Sequence, residues 1–168
     1  MPNTMTLISA VTVGSGGAAS IEFTSIPSSF TDLHILASVR GSNNIATTGL
    51  NLRYNSSTSN YTYRRIDGSG TTADSSSGAT PSIAVLQGAN ATANTFGNYS
   101  IYIPNYTANI NKSAVGQAAN ENNGTNEYIT LSNTLWSDTS AITSIQLVPS
   151  SGTILQHSTA YLYGIKKD

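Results

Sequence analysis

Alternation of apolar and polar residues with a period of two governs this chain and fixes what it can fold into. Ile21 and Phe23 alternate with Glu22 and Thr24, and the run stops at Pro27. Residues 50–54 and 60–66 alternate as cleanly, with a Ser/Thr/Asn turn between them, and read as a hairpin. An amphipathic helix needs apolar residues three and four apart, a spacing that no long segment sustains. Residues 6–13, 20–26, 32–40, 50–54, 60–66, 82–86, 96–103, 112–117, 127–131, 142–148 and 154–165 predict about eleven short strands. Gly, Pro and Asn punctuate them, as residues that end strands do. Residues 138–142 read as one helical turn or a plain turn. The expectation is an all-β, antiparallel β-sandwich, jelly-roll-like, with residues 1–168 as a single domain.

Two segments stand apart. Residues 67–81, rich in Gly, Ser and Thr, have no apolar residue larger than alanine apart from the closing Pro81. They are expected to form a flexible surface loop. The chain closes on Ser158-Thr-Ala-Tyr-Leu-Tyr-Gly-Ile-Lys-Lys-Asp168, in which only Lys166, Lys167 and Asp168 are a polar tail. Tyr161, Tyr163 and Ile165 share one face of that strand, and Ala160, Leu162 and Gly164 the other. Both faces suit burial, inside the sandwich or against a neighbouring protomer, so truncation here is expected to abolish folding.

The chain has 168 residues, enough for a real core, and no cysteine, so neither disulfides nor thiolate metal sites hold it. Charged residues make up only 9%, against roughly 25% in an average domain. Ser, Thr and Asn supply more than a third of the sequence instead. Such a surface repels its own copies little, which suits a protein held in a fixed assembly. A net charge of −1 argues against nucleic-acid binding, which needs a basic footprint. No apolar run reaches the length of a transmembrane helix, so no membrane partner is expected. The residues from Met1 to Thr6 lack the basic and apolar regions of a signal peptide.

Candidate chemistry is sparse. His34 and His157 both sit beside apolar neighbours in strand patterns. Asp32 lies two residues from His34, so an acid could orient an imidazole base, yet no nucleophile motif accompanies them. Structural histidines are the preferred reading. Asp67 and Asp74 bracket a glycine-rich stretch, without the spacing or terminal glutamate of an EF-hand. Sequons such as Asn60-Tyr-Thr, Asn105-Tyr-Thr and Asn123-Gly-Thr follow from the composition. Gly14-Ser-Gly-Gly17 lacks the strand-to-helix context of a phosphate loop and is a turn. No catalytic residue, cofactor site or metal site is expected.

The basic residues are few enough to take singly. Arg40, Arg53, Arg64 and Arg65 lie on or beside three successive strand patterns, among Tyr54, Tyr61 and Tyr63. Arg and Tyr are enriched at protein interfaces. Arg40, Arg53, Tyr61, Tyr63, Arg64 and Arg65 are therefore candidate contact residues, weighed against a solvated strand face. Trp136 is a candidate anchor or a core plug.

Three segments together resemble a loosely defined set of tailed-bacteriophage virion structural proteins. Ile26-Pro-Ser-Ser-Phe-Thr-Asp-Leu33, before a long apolar strand ending in Arg40, is similar to their "Ile-Pro-x-x-(aromatic)-x-Asp-Leu" pattern. Tyr102-Ile-Pro-Asn-Tyr106 is similar to their "Ile-Pro-Asn-Tyr" strand end. Trp136, Ile142-Thr-Ser-Ile145 and the final Leu162-Tyr-Gly-Ile165 resemble their closing strands. His157 departs from the pattern, standing where glycine is expected. The resemblance runs from about residue 5 to residue 165 and implies a structural protein of the particle, without a catalytic residue to carry over. Members include capsid decoration (cement) proteins and tail or fibre components. The expectation is a decoration protein on the outer capsid surface of the virion, a homotrimer that binds across neighbouring major capsid protein subunits. A tail or fibre module that binds a receptor or host glycan through exposed tyrosines and residues 67–81 is the first alternative. A hydrolase of surface polysaccharide is the second, although it needs paired acids and none of the eight acids are adjacent.

Overall fold

The computed structural model describes residues 4–124 and 127–166. Met1 to Asn3, Thr125 of the Asn123 sequon, Lys167 and Asp168 lie outside them. Twelve strands are present: β1 (Met5–Thr12), β2 (Ile21–Phe23), β3 (Asp32–Val39), β4 (Thr47–Tyr54), β5 (Tyr61–Ser69), β6 (Thr72–Gly78), β7 (Ser82–Gln87), β8 (Gly97–Ile103), β9 (Lys112–Asn120), β10 (Tyr128–Trp136), β11 (Ile145–Pro149) and β12 (Thr159–Ile165). They form an eight-stranded sheet, ordered β1-β12-β3-β8-β9-β10-β5-β6, and a four-stranded sheet, ordered β2-β11-β4-β7. Every pairing is antiparallel.

Strand order identifies the architecture. Setting aside β5, β6, β9 and β10 leaves β1-β12-β3-β8 facing β2-β11-β4-β7. The pairs β1 with β12, β2 with β11, β3 with β8 and β4 with β7 are nested one inside the next. Rolling up one long antiparallel ribbon produces that order, which is a jelly roll. Two hairpins, β5–β6 between β4 and β7 and β9–β10 between β8 and β11, widen one sheet to eight strands.

Two expectations are corrected. Residues 67–81 are not a loop: they carry the end of β5 and all of β6, joined through Gly70 at φ 55°. The β5 backbone supplies the ladder partners, so β6 needs no apolar side chains of its own. Residues 50–54 and 60–66 are not a hairpin, since β4 and β5 lie in different sheets. Asn55, Ser56 and Asn60, all at positive φ, carry the chain around that corner. The Asn55 side-chain oxygen accepts from the Thr143 and Ser144 amides at 2.9 and 3.1 Å, and the Tyr61 hydroxyl accepts from the Tyr54 amide at 2.8 Å. Residues 138–142 form no helix.

One core lies between the sheets, built from inward residues such as Ile21, Phe23, Leu33, Ile35, Leu52, Ile101, Ile145, Leu147 and Leu162. Strand β12 lies inside its sheet between β1 and β3, with Ala160, Leu162 and Gly164 buried. Strand β7 closes the smaller sheet and packs beneath β5, β9 and β10. Its carbonyls receive side-chain donors from the larger sheet. Thr134 Oγ1 donates to Ser82 at 2.6 Å, Ser132 Oγ to Ile83, and Tyr99 OH and Asn120 Nδ2 to Val85 at 3.1 and 2.9 Å. Hydroxyls and amides therefore point into the protein from β8 to β10, because buried carbonyls there need partners.

His157 adopts φ 72° in the turn before β12. A left-handed residue suits glycine, so the glycine expected at this position matches the backbone. His157→Gly should stabilise the fold by about 1 kcal/mol, read as a higher urea midpoint with an unchanged m-value.

Candidate functional site

The candidate Arg and Tyr residues do not form one surface. Trp136, Tyr54 and Tyr61 pack together in the core, with ring centroids 5.6 Å (Tyr54–Trp136) and 6.1 Å (Tyr61–Trp136) apart. Arg40 is 5% exposed. Its two terminal nitrogens donate to the carbonyls of Thr92 and Thr95 at 2.6 and 2.9 Å, and of Ala89 and Ala91 at 3.0 and 2.8 Å. It thereby gathers the β7–β8 connection. Lys112, also buried, does the same elsewhere, donating to Ala108, Ile110 and Thr139 carbonyls at 2.7, 2.6 and 3.2 Å. Arg40, Tyr61 and Trp136 thus act inside the chain.

Arg65 donates through Nε to Asp67, whose other oxygen accepts from Thr130 Oγ1 at 2.6 Å, and stacks 5.8 Å from the Tyr63 ring centroid. Arg53 lies on β4, in the other sheet, opposite Gln146. Of the seven candidates only Arg64 is exposed; Arg53, Tyr63 and Arg65 are half-buried. Asp32 and His34 serve structure: Asp32 accepts from Tyr102 OH and the Asn105 amide at 2.7 and 2.8 Å, while His34 Nε2 meets Ser100 Oγ at 2.8 Å. Burial holds the His34 pKa below the usual imidazole range. Asp67 and Asp74 are cross-strand neighbours, and Asp67 is committed to Arg65 and Thr130. No group of three or more His, Asp or Glu is placed to hold a metal among the described residues.

The segments that carry the family resemblance meet at one place. Asp32 binds Tyr102 and Asn105, and the Tyr106 hydroxyl donates to the Pro27 carbonyl. Ile142 N reaches the Tyr106 carbonyl at 2.9 Å, and Ile26 N the Thr143 carbonyl at 3.0 Å. Phe30 lies over Gly164, so close that a β-carbon there would sit 2.3 Å from its ring. Asn105 takes φ 50°, a conformation that Asn tolerates better than most residues. These motifs are joints of the fold.

A functional site is best sought on the outer face of the eight-stranded sheet. Of eleven exposed large hydrophobic residues among the described residues, nine stand there. Met5 and Leu7 are on β1, Tyr161 on β12, Leu36 on β3 and Tyr102 on β8. Val115 on β9, Ile129 and Leu131 on β10 and Ile66 on β5 continue the face. Ile129 is 72% exposed and Ile66 59%. Beneath them point Thr130, Ser132, Thr134 and Asp67, all buried. The usual arrangement of a one-sided antiparallel sheet is apolar in and polar out. Here it is inverted over β10 and the end of β5.

Its strands carry two charged residues outward, Arg64 on β5 and Asp32 on β3. A trough of about 810 Å³ runs along β8 and β9, where outward side chains are small or polar (Asn98, Ser100, Gln117, Ala119). Tyr161 and Leu36 form one wall, Ile129 and Leu131 the other. The sequence carried a signal for this face. If Trp136 is core, then alternation along β10 puts Thr134, Ser132 and Thr130 inside and Leu131 and Ile129 outside. No protein-family model matches the chain, and no curated protein matches it.

Proposed function

We propose that this chain is a non-enzymatic structural protein of a tailed-phage particle, a capsid decoration protein whose outer sheet face is covered in the assembly. The carrying observation is that face: nine exposed hydrophobic residues on one side of one sheet. Exposed apolar residues gathered on one face in this way mark an interaction site. The jelly roll and the resemblance support the particle setting. The mechanism is mechanical. A rigid β-domain that bridges neighbouring capsid subunits adds buried area, and that area resists separation of the subunits as the packed genome presses outward.

Ile129→Glu combined with Ile66→Glu tests this reading. Both residues are already exposed, so thermal stability should stay within a few degrees of the parent, while retention on purified particles falls by at least about tenfold. Full retention of the double variant would remove the face from the proposal.

A further inference from the structure

We propose that the outer face of the eight-stranded sheet is covered by a second copy of this chain, packed face to face across a two-fold axis. This deepens the reading above, in which that face is an interface. The reason lies in one cross-strand row. Tyr161 and Leu36 stand on β12 and β3, Ser100 and Gln117 on β8 and β9, Leu131 and Ile66 on β10 and β5. Direct register makes the six consecutive neighbours. The two polar positions floor the trough, and two apolar positions rise on either side of it.

A two-fold interface must be self-complementary, because the same patch serves both partners. An axis through Gln117 and parallel to the strands meets that requirement. One strand away, Leu131 falls over the partner's Ser100 and drops into the trough. Two strands away, Ile66 falls over the partner's Leu36. The Leu131 ridge enters the partner's trough, Ile66 meets the partner's Leu36, and Gln117 meets its own copy at the axis.

Area and charge agree. The eight strands have seven to nine residues each. At strand spacings of about 4.8 Å and rises of about 3.4 Å, an overlap of seven strands covers roughly 700 Å² in projection. A standard interface needs about 800 Å² of accessible surface per partner, and side-chain relief makes up the difference. Copies with a net charge of −1 barely repel each other.

The full chain should sediment as a reversible monomer–dimer pair between micromolar and near-millimolar concentration. Leu131→Glu should weaken dimerisation by at least about tenfold, and Gln117→Trp, which blocks the axis without touching the core, should do the same if Leu131→Glu fails to fold. The chain has no cysteine, so Gln117→Cys carries a single thiol. A short bismaleimide should link it into dimers while leaving Glu22→Cys, on the far sheet, monomeric. A strict monomer, a trimer, equal linking of both cysteine variants, or saturable binding of a neutral oligosaccharide in the trough of a monomer would each overturn the proposal. Dimers that never enter particles would instead count against the particle setting and leave the pairing intact.

Discussion

Gly164→Val should remove a large share of the fold's stability, although it adds only three carbons. Gly164 lies on β12 with its α-carbon beneath the Phe30 ring, and a β-carbon would meet ring atoms at 2.3, 2.4 and 2.6 Å. Ordinary contacts of carbon with carbon lie near 3.5–4.0 Å, so the ring must leave. Its departure disturbs the joint at which Asp32, Tyr102, Asn105 and Tyr106 are tied together. Overpacking alone costs about 1–3 kcal/mol, and the lost ring packing adds to it. A total of about 4 kcal/mol is a large share of the roughly 5–15 kcal/mol that holds a domain folded, and lowers the urea midpoint accordingly. Gly164→Ala should be milder and measurable by urea unfolding. In a Phe30→Ala background the same alanine should cost much less, because the atom it struck is gone. Equal costs in both backgrounds would mean that the ring is not what requires glycine.

Alkali should unfold the protein cooperatively above pH 10. Burial raises the Tyr54 pKa well above its ordinary value, and the charge of Tyr61 raises it further. Burial likewise raises Tyr99, and pushes Tyr61 up to about 12. A phenol that stays protonated when folded contributes stability in full below its unfolded pKa near 10. That contribution is lost as pH rises, because the unfolded chain releases the protons first. Tyr54 and Tyr99 together therefore remove roughly 3 kcal/mol per pH unit above 10, and Tyr61 acts in the same direction. Stability of about 5–15 kcal/mol is exhausted within a few units. Absorbance at 295 nm and circular dichroism should report one shared transition for the buried tyrosines. Tyr54→Phe should move the midpoint upward. It should be tolerated, since the buried Tyr54 hydroxyl has no protein partner. Ionisation of all nine tyrosines with the sheet signal intact would contradict this account.

The strands were legible because alternation exposes them directly, and the fold class followed. Pairing was not legible. Residues 50–54 and 60–66 alternate identically whether they form a hairpin or turn a corner between sheets; the side chain of Asn55 decides it, through partners some ninety residues away. Strand β6 was invisible because Thr72–Gly78 contains no large apolar residue; its order comes from the β5 backbone. Arg40, Tyr61 and Trp136 were attractive as contacts because interface and core favour the same residue types. Arg40 is buried without an acid partner because loop carbonyls satisfy it, a solution that no local sequence pattern announces. The outer face was partly legible, since the phase of alternation up to Trp136 turns Ile129 and Leu131 outward.

That face is the centre of the functional account, and one measurement addresses it directly. Tailed-phage particles that lack this protein can be offered the parent chain and the Ile66→Glu, Ile129→Glu variant, and any bound protein quantified against the coat subunit. The account predicts saturation of the parent in fixed proportion to the coat subunits, and loss of that binding in a variant that remains folded. Equal binding by both chains, or a parent stoichiometry of a few copies at a single vertex, would contradict it.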